Sequence, residues 1–108
     1  MEKEMMKGGI DILIMSVLRN KDAYGYQIIS DIYEISGQTF KMPEGTLYLA
    51  LRRLEAKKIL ESYKAKAPRG KKVYYRLTED GKLDLDDKLE SWKKFNKLIE
   101  MCSRSELK

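Results

Sequence analysis

The chain has 108 residues, 36% of them charged, with 22 Lys or Arg against 17 Asp or Glu and a formal net charge of +5, a length that suits one domain with a modest core. One cysteine, Cys102, and no histidine exclude an intrachain disulfide and zinc-type spacing and leave any nucleophile without an imidazole; with no Gly-rich phosphate loop or carboxylate pair, the expectation is a non-enzymatic protein needing no metal or cofactor. No run of 18 apolar residues and no signal-like N-terminus is present, which predicts a cytoplasmic protein without a membrane span.

Residues 5–18 place Ile10, Leu13, Ile14, Val17 and Leu18 on one helical stripe. Met5, Ile12 and Met15 fall off it, so this helix is apolar on more than one face and calls for a second partner surface. Gly8 and Gly9 weaken its first turns. A polar turn, 19–22, leads to helical spacing from Ala23 through Ile28, Ile32 and Ile35, and Ser36-Gly37 is a C-terminal stop. Tyr24 and Tyr26 are expected to pack or bond within the core.

The stretch from Met42 to Glu55 carries the strongest signal. Pro43 suits a first helical position and Glu44 complements the positive helix end. Leu47, Leu51 and Leu54, with Ala50, form a narrow buried stripe. At about 100° per residue, Gly45, Leu49, Arg52 and Ala56 project opposite it, with Tyr48 and Arg53 on the flanks. Little bulk at the leading end and cations beyond it are what a helix entering a DNA major groove requires.

Ile59-Leu60 close that helix. Ser62–Lys66 and Val73–Leu77 then alternate as two short strands around a basic turn, 67–72, with the Pro/Gly pair of a hairpin. A helix followed by a basic-tipped hairpin spells a winged helix. Residues 41–76 hold eleven Lys or Arg and three Glu, a net +8, whereas the remainder sums to −3. Such segregation fits phosphate contact better than a solvated face. RNA binding is disfavoured because Tyr74 and Tyr75 alternate, so only one can face outward.

Thr78-Glu79-Asp80-Gly81 reads as a capped helix start. Leu85, Leu89, Trp92, Phe95, Ile99 and Cys102 then repeat near a heptad spacing that wants another helix. The predicted architecture is mainly α with a small β-hairpin: a winged helix-turn-helix DNA-binding domain over 1–78 and a C-terminal dimerisation helix over 79–108, the N- and C-terminal helices joining two copies. Cys102 is read as a small buried hydrophobe, with a redox sensor as the alternative.

Tyr24-Gly25-Tyr26-Gln27-Ile28, the run Gly45-Thr46-Leu47-Tyr48 through Leu51-Arg52-Arg53-Leu54-Glu55, and Gly70-Lys71-Lys72 through Asp80-Gly81, followed by Glu90-Ser91-Trp92, together resemble the PadR-like family of bacterial transcriptional regulators. The resemblance covers almost the whole chain and is to the small members with one C-terminal helix, similar to the multidrug-sensing ones. It implies a homodimeric repressor on a near-palindromic double-stranded DNA operator, with half-site centres about one helical turn, roughly 34 Å, apart. It implies DNA contacts by Thr46, Tyr48, Arg52 and Arg53 on the helix and by Arg69, Lys71 and Lys72 on the wing. Glu44 departs from the neutral small residue of many relatives. The resemblance also implies a planar aromatic effector at the dimer interface, stacked on Trp92 and walled by Met5, Gly8, Asp11 and Ile12, with Leu89 and Asn96 opposite; the alternative is that Trp92 is ordinary core of that interface. Asn96 stands where the multidrug-sensing relative has an acid, and Asp11 is the substitute charge. The alternative reading is a winged-helix protein-interaction module without specific DNA binding.

Overall fold

The computed structural model describes residues 9–105. Among them the chain forms α1 (Ile10–Asn20), β1 (Ala23–Tyr24), α2 (Gly25–Ile35), α3 (Glu44–Ala56), β2 (Leu60–Ala67), β3 (Gly70–Leu77) and α4 (Glu79–Arg104). The three strands make one antiparallel sheet in the order β1-β3-β2. Three short helices, the sheet and the trailing helix give a winged helix-turn-helix.

The core lies where α1, α2 and α3 meet the sheet, and Ile14, Met15, Ile28, Leu47, Leu51 and Leu60 are fully buried there. The first turns of α4 join it through Leu85. That junction is tight: a Cβ on Gly81 would stand 2.3 Å from the Ile59 carbonyl oxygen. Thr78 locks it from the other side, its Oγ1 donating to the carbonyls of Lys58 and Ile59 and accepting from the Gly81 N–H at 3.0 Å, an N-cap.

Several boundaries differ from the sequence expectation, each for a local reason. Ala23-Tyr24 does not open a helix; it pairs with Tyr75 and Tyr74 as the third strand, because an antiparallel edge offers those backbone groups partners. Pro43 is the N-cap of α3, extended at φ −64°, ψ 142°, and Glu44 is the first helical residue. The hairpin runs longer than the apolar alternation suggests, so its connection is only Pro68-Arg69, and Lys71 and Lys72 belong to β3. At the end of α2 the expected glycine stop is present: Gly37 takes φ 70°, and the Gln38 N–H reaches back to the Tyr33 carbonyl at 2.8 Å.

The molecule is elongated, 61 × 30 × 21 Å, because α4 outruns the domain. Every residue from Glu90 to Ser105 is exposed.

Candidate nucleic-acid interface

The four apolar residues of α3 read from its spacing, Leu47, Ala50, Leu51 and Leu54, are all buried. Gly45, Leu49, Arg52 and Ala56 therefore form the outermost line of the helix, all exposed. Around the Cβ position of Gly45 no atom beyond its chain neighbours and its own helix lies within 4 Å, so this position presents only backbone, and the exposed Glu44 precedes it. Thr46 is exposed beside it. No carboxylate pairs with Arg52 among the described residues.

The flanks of α3 are tied down. On one side the Arg53 guanidinium forms an ion pair with Asp11 of α1. Arg53 is thus shared between bracing two helices and the exposed surface, while Arg52, which no carboxylate holds among the described residues, belongs to the exposed surface. On the other side the Glu55 carboxylate accepts from Ser62 Oγ of β2 at 2.5 Å. Tyr48, 42% exposed, lays its hydroxyl over the start of α2, where a Cβ on Gly25 would meet Tyr48 Oη at 2.4 Å. The Tyr-Gly-Tyr motif and the Gly-Thr-Leu-Tyr motif are therefore two halves of one contact that sets α3 against α2. Tyr26, expected in the core, is instead 67% exposed: it follows the N-terminal Gly25 of α2, and Ile28, Ile29 and Ile32 take the buried face.

Strand register decides which wing cations act together. Leu60↔Leu77, Ser62↔Tyr75, Lys64↔Val73 and Lys66↔Lys71 are cross-strand partners on one face, the face that is buried at Leu60 and Leu77 and bonded to α3 through Ser62. Lys64, Lys66 and Lys71 extend it past α3 toward the tip. Glu61↔Arg76, Tyr63↔Tyr74 and Ala65↔Lys72 occupy the opposite face. Lys71 and Lys72, grouped by the sequence reading, thus diverge; Lys64 and Lys66, which that reading missed, share the α3 side with Lys71. The period-2 alternation of a strand was the signal that could have found them. Arg69 sits at the exposed tip, next to Gly70 at φ 97°. None of these five cations has an ion-pair partner among the described residues. Lys66 directly faces Lys71, an unfavourable like-charge pair that an anion would relieve.

Tyrosines divide between the same two faces. Tyr75 turns toward α3, and burial raises its hydroxyl pKa above the ordinary 10.0, with Glu55 and Tyr48 adding and Arg52 opposing. Tyr74 turns outward, as one of the pair must, but it has company. Tyr24, Tyr74 and Tyr63 form a row across all three strands, the first two edge to face at 5.4 Å and the last two stacked at 5.7 Å. The rings spend their faces on one another, so the row fastens the sheet and is not an open stacking platform. Tyr63 also donates to Asp22 Oδ2 at 2.5 Å, and that bond, followed by burial, raises its pKa.

The model of the PadR-like family of transcriptional regulators matches residues 14–87, which span every element just described except the first turn of α1 and most of α4. The chain belongs to that family. A PadR family transcription regulator from Clostridium difficile is 40% identical over 85% of this chain and 95% of its own, with a TM-score of 0.76. A transcriptional regulator from Clostridium thermocellum is 32% identical over 91% of this chain and 96% of its own, with a TM-score of 0.84. An uncharacterized protein X of Lysinibacillus sphaericus is 32% identical over 91% of each chain. This PadR-like chain is a DNA-binding transcriptional regulator, of a family that is not enzymatic.

Of the effector residues expected from the resemblance, Met5 and Gly8 lie outside the described residues. Ile12 and Leu89 border the core, half-buried. Trp92 is 38% exposed and Asn96 is exposed, on the part of α4 that leaves the domain. Asp11 is engaged with Arg53, and its carboxylate is not a free counter-charge. Cys102, expected to be buried, is exposed in the single chain. A separate cavity of about 470 Å³ opens between the end of α1, the hairpin base and the start of α4. Its cations are already neutralised: Arg19 by Asp86, Lys21 by Asp31, Arg76 by Glu61 and Lys82 by Glu79. No trio of metal-ligating side chains and no helix long and apolar enough to cross a membrane occurs among the described residues.

Proposed function

We propose that this regulator is a homodimeric repressor of a near-palindromic operator, with α3 in the major groove and the wing on flanking phosphates. The observation that carries the reading is the cation set on one side of the molecule: Arg52 on the outer line of α3 with Lys64, Lys66 and Lys71 on the adjoining wing face, none of them neutralised by a carboxylate among the described residues. Helix residues Thr46 and Tyr48 and the tip Arg69 border that surface. Arg53 reaches it by sharing its guanidinium with Asp11, and Lys72 reaches only phosphates on the far side of the wing.

Dimerisation is supported by the distal half of α4, where Trp92, Phe95, Leu98, Ile99 and Met101 are all exposed large hydrophobics. A second copy of the same helix buries them in a seam. The winged domain, 1–78, then reads DNA and the C-terminal segment, 79–108, through α4, sets the distance between two recognition helices, about 34 Å for successive major grooves. A planar aromatic molecule stacked on Trp92 in that seam releases the operator if it binds one spacing better than the other. Because Asp11 already holds Arg53, a neutral ring fits better than a cation.

The test is fluorescence anisotropy of a labelled duplex from upstream of the protein's own gene, against a scrambled duplex, across salt concentrations. Selective binding whose log affinity falls steeply with log salt supports the reading. Equal binding of both duplexes would place the operator elsewhere or reduce the cations to a charge patch, and no binding of either at low salt would favour a protein-interaction module instead.

A further inference from the structure

The outer line of α3 contains one residue that charge does not explain. Leu49 is 64% exposed, one turn after Gly45 and three residues before Arg52, which has no ion-pair partner among the described residues. Single exposed leucines are ordinary on protein surfaces. This one lies directly opposite the buried stripe of the helix, at the point that penetrates furthest if α3 enters a groove. We propose that Leu49 reads the C5-methyl group of a thymine in the major groove, an inference that rests on the DNA-binding reading above.

The chemistry is restrictive. Leucine has neither donor nor acceptor, so against guanine, adenine or cytosine edges it would strip water from a polar group without replacing it. Thymine alone among the four bases offers an apolar group there. Gly45 permits the approach at its own position, since beyond its chain neighbours and its own helix no atom lies within 4 Å of its Cβ position, with the exposed side chains of Glu44 and Thr46 to either side. Arg52, on the same line, is placed for a neighbouring base or phosphate, so a thymine contact also fixes the register of the cation beside it.

The experiment selects a tight duplex from a randomised pool with the wild-type protein and then replaces its thymines one at a time by deoxyuridine, which pairs identically and lacks only the methyl. One thymine, or one in each half of a palindrome, is expected to cost about fourfold in affinity when replaced, the worth of one buried methyl-sized group. Leu49→Ala is expected to bind the thymine duplex more weakly and to be indifferent to uracil at that position alone; its side chain is exposed, so its melting temperature should match wild type. If no thymine is sensitive, or if Leu49→Ala keeps the full sensitivity, the inference is overturned while DNA binding stands. If the pool yields no preferred duplex and binding has no salt dependence, the DNA-binding reading falls and takes the inference with it.

Discussion

The outer face of α3 and the distal half of α4 are both helical surfaces left uncovered by the fold, and they are uncovered in opposite ways. Around α3 the apolar stripe is fully buried, and what remains outside includes Arg52, Arg53, Gly45, Leu49 and, at the leading end, Glu44, continued by wing lysines. Along α4 beyond Leu89 nothing is buried, and what remains outside includes Trp92, Phe95, Leu98, Ile99 and Met101. The first surface is complementary to a polyanion and should weaken with salt. The second is complementary to another apolar helix and should be indifferent to salt or strengthened by it. Exposure by itself therefore identifies no partner; the chemistry left outside does.

The strongest way to break the comparison is to put charge on the apolar helix. Phe95→Glu, at a residue 58% exposed in the single chain, should leave the winged domain folded by circular dichroism yet shift sedimentation from dimer to monomer. Operator affinity should then fall on the order of 100-fold, because one half-site loses its tethered neighbour. Retention of the dimer would mean that another face joins the copies.

A second prediction concerns how α3 is set. Gly25→Ala places a methyl against the Tyr48 hydroxyl and should destabilise the domain by about 1–3 kcal/mol in urea titrations. Tyr48→Phe in the same chain should recover part of that loss, whereas Gly45→Ala, where space is open, should not destabilise.

The wing sharpens the comparison by direction. Lys66→Ala should lower duplex affinity and reduce the log–log salt slope by about one, while raising the free protein's stability by a few tenths of a kcal/mol as the repulsion from Lys71 is lifted. Lys72→Ala, on the opposite face, should change the slope least. Asp11→Asn releases Arg53 and should raise duplex affinity a few-fold with a stability cost below about 1 kcal/mol, the pair being partly exposed.

The smallest effect is at high pH. The Tyr63 pKa is raised in the folded chain by its bond to Asp22, so its contribution is complete below the ordinary 10.0 and is lost as pH climbs through the raised value. Wild type should therefore lose thermal stability more steeply above pH 10 than Tyr63→Phe does, the two curves converging.

Much of this was legible without coordinates. Leu47, Ala50, Leu51 and Leu54 announce a buried stripe because helical period is a local property, and Gly37 and Thr78 mark helix ends because capping needs only neighbours. The third strand was not legible: two residues, Ala23 and Tyr24, carry no pattern of their own and become a strand only because β3 lies beside them. Tyr26 misled for a related reason, since an aromatic near a helix start has a burial set by what packs on it.

The sequence alone determined the helices and the hairpin, the segregation of positive charge into residues 41–76 and the outward line of α3, all of which follow from spacing along the chain. Tertiary structure decided which cations share a surface. Hairpin register places Lys64 and Lys66 with Lys71 and separates Lys72, and the packing of α1 on α3 gives Arg53 to Asp11 and leaves Arg52 free of such a pair among the described residues. The reason is physical: a side chain's direction in a strand depends on the pairing of its backbone, and an ion pair across helices depends on how those helices are pressed together by their buried faces.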